Sequence, residues 1–186
     1  YIITKDENGF ESIPIAFQLI CEKEVQPKLY YIGIGVSKYQ DTLWNLKYAV
    51  KDIEKLKEFF SYRYANQAEI YTFLDEEVIS ENLIKIKEIL SQTSVDDKVV
   101  ISFSGHGLIG RDKEFIFCSN NIDFSKPEER GIKFSFIKDL IKDIPARRRL
   151  ILIDACNSGA LDEEENINMT LADNIKEYNS KGITVV

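Results

Sequence analysis

The sequence predicts an α/β domain with a mostly parallel sheet and helices on both faces, and three observations carry that prediction. Short apolar runs bounded by turn formers alternate with segments of helical apolar spacing. The runs are continuously apolar, as strands covered on both faces are. The chain has 186 residues, of which 44% are hydrophobic, enough for one domain with a sizeable core.

Residues 1–28 are expected to form an N-terminal arm or a linker from a preceding region. Within them, 13–20 is apolar but interrupted by Pro14 and Gln18, which suits an edge strand or a packed arm. The first core strand is 29–36, followed by a loop over 37–41. From 43 to 64, Leu46, Ala49, Val50, Ile53, Leu56, Phe59 and Phe60 recur at helical spacing, predicting a helix. A second strand is expected over 70–74. Ser80 is placed as the N-cap of a helix running to 90. The third strand, 98–103, leads straight into Ser104-Gly-His-Gly107. A short strand over 114–118 and a polar loop over 119–131 follow. Ser135 is placed as the cap of a helix to Ile144, which Pro145 stops. The fifth apolar strand, 150–154, ends at Ala155-Cys-Asn-Ser-Gly159. Residues 29–160 thus make the core. The acidic stretch 161–182, with Asp162-Glu-Glu-Glu165, is expected to repel itself and stay mobile. Residues 183–186 open another core strand. The first residue is Tyr rather than Met, and both ends read as cut from something longer.

Charge and cysteine usage narrow the function. With 31 acidic and 24 basic side chains the formal charge is -7, so no basic stripe is available for nonspecific nucleic-acid binding. Positively charged peptides or proteins are easier partners. Nine Tyr and eleven Phe exclude a disordered protein. Cys21, Cys118 and Cys156 are odd in number and widely spaced, which favours a reducing compartment over a disulfide framework or a cysteine metal site. No run approaches about 18 apolar residues and no signal peptide is visible, so a cytoplasmic protein without a membrane span is expected.

The chemistry gathers at two strand ends. His106 is the single histidine and lies between Gly105 and Gly107. A histidine that serves only the core has no need of a glycine on each side, whereas glycines permit tight backbone geometry at a strand end. Cys156 follows another apolar strand, with Ser158 and Gly159 behind it. In a parallel sheet both residues would emerge on the same edge. A cysteine and a histidine within hydrogen-bond reach form a thiolate–imidazole nucleophile system.

Three blocks, Ile34-Gly-Val-Ser-Lys-Tyr39, Phe103-Ser-Gly-His-Gly107 and Asp154-Ala-Cys-Asn-Ser-Gly159, together resemble the catalytic domain of the caspase-like cysteine peptidases. The resemblance is closest to the bacterial caspase-like and metacaspase branches and covers 29–186. It implies a three-layer α/β/α sandwich, here without the C-terminal small-subunit part. It assigns His106 as the base and Cys156 as the nucleophile, with the backbone N–H groups of Gly107 and Cys156 as the oxyanion hole. It names no third member, since no orienting carboxylate is evident.

The resemblance also places Asp52, Ser104 and Asp154 in the pocket for the residue before the scissile bond, where two carboxylates favour Arg or Lys. Arg147, Arg148 and Arg149 precede the last strand at the end opposite Cys156 and read as a solvated turn. Asn157 stands where metacaspases usually have His. Processing is expected within or near 160–182, with Lys176 and Lys181 as basic candidates. No cofactor is expected. Asp123, Asp162 and Glu163 are acidic groups for a regulatory calcium, but no site is assigned, and calcium independence is favoured. The bacterial relatives imply a protease module inside larger regulated proteins, some in antiviral defence and cell death. The rival reading is a catalytically silent scaffold that binds partners. A nucleotide-binding domain is disfavoured, since Gly33-Ile-Gly-Val36 has no third glycine at the needed spacing and no Walker lysine follows.

Overall fold

The computed structural model describes residues 2–15, 26–157 and 183–185, with backbone alone at 156–157 and 183–185. Strand β1, Leu29–Gly35, is buried at every position, which is why its apolar run is unbroken. A 3-10 turn, Thr42–Trp44, precedes helix α1, Ala49–Tyr64. Strand β2, Ala68–Leu74, is followed by helices α2, Ser80–Leu83, and α3, Lys85–Ser91. Then come β3, Lys98–Ile109, β4, Phe115–Phe117, and the single turn α4, Pro127–Arg130. The described chain closes with β5, Ile132–Lys133, α5, Phe134–Ile141, β6, Arg148–Asn157, and β7, Ile183–Val185.

Strand β1 pairs in parallel with β2 and β3, β3 with β6, and β6 with β7. At the outer end of β3, β4 pairs antiparallel, and β5 pairs antiparallel with β4. The sheet is therefore mixed. The expected parallel arrangement describes its centre, and β4 and β5 add an antiparallel corner where β3 overruns β1.

Helices cover both faces. On one, Leu29, Tyr31 and Val100 meet Leu56, Phe60 and Tyr64 of α1. On the other, Ile32, Ile34, Ile101 and Phe103 pack with Leu83, Ile86 and Leu90 and with Ile137, Leu140 and Ile141 of α5. The α1 contact is close because β1 offers glycine beneath it. A Cβ on Gly33 would lie 2.5 Å from Ile53 Cγ2 and 3.0 Å from Tyr31 Oη. Gly33→Ala is expected to cost about 1–3 kcal/mol by overpacking, read as a lower denaturation midpoint at unchanged slope. Wild-type stability would show instead that α1 can retreat.

Several boundaries differ from expectation. Helix α1 starts at Ala49 rather than near 43, because Asp41 Oδ1 accepts the Leu43 N–H to cap the 3-10 turn, and Ser37 Oγ accepts the Val50 N–H where the true helix begins. Ser80 is not a cap; Ile79 holds that position with no side-chain bond, and Ile84 divides the expected helix in two. Ser135 lies inside α5, whose cap position is Lys133 and which ends at Ile141. The loop over 119–131 contains α4, and β5 follows it.

Arg147 and Arg148 are exposed as expected, whereas Arg149 is only partly exposed and is engaged with the main chain. Its guanidinium donates to the carbonyls of Ile141 at 2.9 Å, Ile144 at 2.9 Å and Ala146 at 2.6 Å, collecting acceptors that the end of α5 leaves without helical partners. Residues 2–15 form a small ribbon bridged at Ile2–Ile15 and Lys5–Glu11. The edge strand or packed arm expected over 13–20 falls largely outside the described residues, and the segment 161–182 wholly so. No helix among the described residues is long and apolar enough to cross a membrane.

Candidate active site

Beyond the end of β1, strands β3 and β6 continue side by side. Their register sets Ser104 beside Asp154 and His106 beside Cys156. Neighbouring strands lie about 4.8 Å apart, so the two backbones are immediate neighbours. Both residues stand inside strands rather than in the loops after them. The strands run on because β4 pairs with β3 from Gly107 to Ile109 on one side while β6 follows to Asn157 on the other.

The glycines around His106 serve packing. Neither has a positive φ; Gly9 alone does among the described glycines. A Cβ on Gly105 would lie 2.9 Å from the Phe117 ring and 3.2 Å from Tyr39 Oη, and one on Gly107 would lie 2.6 Å from the Phe115 ring. Only hydrogen at these positions lets three aromatic rings close on the strand.

His106 is 6% exposed. Its Nε2 lies 2.9 Å from the Trp44 carbonyl oxygen. A carbonyl only accepts, so Nε2 carries the proton of the neutral ring and Nδ1 the basic lone pair. A long-range proton–nitrogen spectrum of this single histidine is expected to show the Nε2–H form; the Nδ1–H form would rule out the Trp44 bond. The Tyr39 ring centroid lies 5.2 Å from the imidazole, Trp44 meets it edge-on at 6.1 Å, and Phe124 stacks on Trp44 at 4.2 Å.

The loop that carries Tyr39 and Trp44 is pinned throughout. Asp75 Oδ1 accepts the N–H groups of Ser37 and Lys38, both at 2.8 Å. Asn120 Nδ2 donates to the Lys38 carbonyl and Asn45 Oδ1 accepts the Tyr39 N–H. Trp44 escaped the sequence reading because a main-chain carbonyl acts whatever its side chain, so no residue type signals it.

Backbone alternation also fixes the Gly107 N–H. The Cys118 N–H bonds the His106 carbonyl at 2.9 Å on the β4 side. Successive residues of a strand turn their polar groups to opposite sides, so the Gly107 N–H faces β6, the strand on which Cys156 stands.

Asp52, Ser104 and Asp154 line one cleft of about 220 Å³ between the start of α1 and the middle of β3 and β6, with Leu56, Ser102 and Leu152. Ser104 is buried, Asp52 half-buried and Asp154 exposed. Among the described residues no basic side chain lines the cleft, and its two carboxylates are its charged groups. A larger cleft of about 370 Å³ is lined by Arg111, Asp112, Lys126, Glu128 and Glu129. Its charges are occupied with one another and with Lys133, as in Lys133–Asp112 at 2.8 Å and Lys126–Glu129 at 3.6 Å.

Cys118 is a buried free cysteine whose thiol burial pushes up to about 12, so it holds little thiolate near neutral pH. Asp123 is engaged locally, its Oδ1 accepting from the Ser125 N–H and Oγ. Among the described residues no group of three or more His, Cys, Asp or Glu side chains could hold a metal ion. Cys21, Asp162, Glu163, Lys176 and Lys181 lie outside the described residues.

The family model of the caspase domain, among the C14 peptidases, matches residues 32–184. No protein of curated function matches the chain. Among solved structures, the crystal structure of protein GSU0716 from Geobacter sulfurreducens superposes with a TM-score of 0.60 at 15% identity. That match covers 83% of this chain and 64% of the other, so the chain spans less than two thirds of that protein's length. At that identity the likeness is one of fold.

Proposed function

The chain belongs to the caspase-domain family of peptidases, and on that premise we propose that it is a cysteine endopeptidase cleaving protein chains after Arg or Lys through His106 and Cys156. The observation that supports this best is the register of β3 and β6, which sets His106 beside Cys156 and, two residues back, Ser104 beside Asp154 at the acid-lined cleft. Nucleophile, base and recognition pocket then fall on one sheet edge, the carboxyl end of the parallel strands, where ligands of α/β sheets bind.

In this reading the Cys156 thiol gives its proton to His106 Nδ1 and the thiolate attacks the scissile carbonyl. The Trp44 carbonyl holds the imidazole by Nε2–H and favours the imidazolium that forms. The N–H groups of Gly107 and Cys156 are the expected donors to the oxygen on which negative charge develops; the β3–β6 register engages both between the strands, so they leave that ladder to meet it. The imidazolium then protonates the leaving amine, and water, activated by the neutral ring, releases the acyl group. The Arg or Lys side chain lies between Asp52 and Asp154, which bind it by charge-assisted hydrogen bonds.

Activity within a larger regulated protein, completed by a small-subunit-like segment and switched by cleavage near Lys176 or Lys181, belongs to the same proposal. The test is a matched fluorogenic series ending in Arg, Lys or Asp, offered to the full-length protein with calcium or chelator. Cleavage after Arg or Lys is expected. Cleavage after Asp alone would keep the peptidase and discard the pocket. Silence throughout, with Cys156 unlabelled by a basic peptide carrying a thiol-reactive group, would favour the silent scaffold.

A further inference from the structure

His106 sits at a gap in the sheet. The last β1–β3 pair is Gly35 with Ser104, and the first β3–β4 pair is Gly107 with Phe117. Between them, the His106 carbonyl is taken by the Cys118 N–H, and the His106 N–H is taken by a side chain, the Tyr39 hydroxyl, at 3.0 Å. A buried N–H without an acceptor is costly, and here the phenol oxygen stands in for the strand that has ended. The same side chain is 4% exposed, and its ring lies against the imidazole with 30° between the planes. Its own backbone N–H is held by Asn45 Oδ1 at 2.8 Å. Glycine at 105 leaves the space that its hydroxyl needs.

We propose that Tyr39 is a positioning residue for His106: its hydroxyl fixes the main chain at 106 and its ring fixes the plane of the imidazole, so that the basic nitrogen is held at one place above β6. Together with the Trp44 carbonyl on Nε2, this grips the histidine at backbone, ring face and ring edge. Burial raises the phenol far above its ordinary range, so the group stays a neutral hydrogen-bonding partner throughout the working pH range. Displacing a catalytic group by about 1 Å can cost on the order of a hundredfold in rate, and removing one of three grips is a smaller lesion.

The kinetic arm of the test rests on the peptidase reading; the spectroscopic arm does not. Tyr39→Phe keeps the ring and removes the oxygen. On an Arg or Lys peptide its kcat is expected to fall about tenfold with KM within about twofold. Since His106 is the single histidine, the imidazole gives one set of nuclear resonance signals, and these are expected to shift in the variant. Thr93→Val is the matched control. Thr93 Oγ1 accepts the buried Ala146 N–H at 3.2 Å and donates to the Leu90 carbonyl at 2.8 Å, at the other end of the sheet, and its loss should leave kcat and the imidazole signals unchanged.

Unchanged kcat and unchanged imidazole signals in Tyr39→Phe would overturn the proposal, as would an equal loss of kcat in Thr93→Val. If the wild-type protein cleaves no peptide, the peptidase reading fails while the imidazole signals still decide the positioning. If Tyr39→Phe does not fold, 3,5-difluorotyrosine at position 39 keeps the shape and weakens the acceptor. Shifted imidazole signals would then support the proposal and unshifted ones would refute it.

Discussion

Cys156→Ala is expected to lower kcat/KM on the best Arg or Lys peptide by about 10⁴-fold or more, with the melting temperature within a few degrees of wild type. In the proposed mechanism there is no acyl-enzyme without the sulfur, and what remains is what binding and the proposed oxyanion donors give to attack by water. The fold should tolerate the change, because Cys156 stands in β6, whose pairing with β3 is a main-chain ladder that alanine preserves. No other described thiol can substitute, since Cys118 is buried and held near 12. His106→Ala is expected to cost about as much, and the double variant little more, because the proposed dyad acts as one unit. Full-progress curves on one peptide, with thermal unfolding beside them, give the measurement. A loss of only tenfold in Cys156→Ala would place the nucleophile elsewhere.

Much of this arrangement was legible in the sequence. The apolar runs announced their strands because each is covered by helices on both faces, so no polar alternation intervenes. The pairing of His106 with Cys156 was legible as two strand ends that must share an edge if the strands are parallel. What the sequence hid was how far those strands run. Ser104-Gly-His-Gly107 looks like a loop because glycine and serine are poor strand formers. The structure keeps it extended because Phe115, Phe117 and Tyr39 need the room that glycine leaves.

The helix boundaries failed for a related reason. The apolar period from Leu46 onward is real, but Asp41 and Ser37 take the N–H groups of Leu43 and Val50 and so start two separate turns. Arg149 misled in the opposite direction. Three consecutive arginines suggest solvent, yet the bonds of Arg149 go to carbonyls that the last residue of α5 and the turn after it present together. The acceptor at His106 Nε2 was invisible in principle, being the main-chain oxygen of Trp44.

The second large effect concerns selectivity rather than rate. In Asp52→Asn with Asp154→Asn, kcat/KM for an Arg peptide is expected to fall by about 10–100-fold, while a citrulline peptide of the same sequence changes by less than about threefold. The asparagines keep size and shape, so the cleft of about 220 Å³ should stay open. What is lost is the charge half of each hydrogen bond, about half of the 1.5–3 kcal/mol of a bond to an ionised partner, and over the two carboxylates, at tenfold for every 1.4 kcal/mol, that gives the expected fall. Asp52, half-buried, should account for more of the loss than the exposed Asp154, because water screens the latter. Citrulline carries no positive charge, so its use isolates the recognition step from the chemistry. A lesion in the nucleophile would lower both peptides alike, whereas loss of the pocket's charge collapses their ratio. If the ratio survives the double substitution, the basic side chain is recognised elsewhere, and the cleft between α1, β3 and β6 is not its pocket.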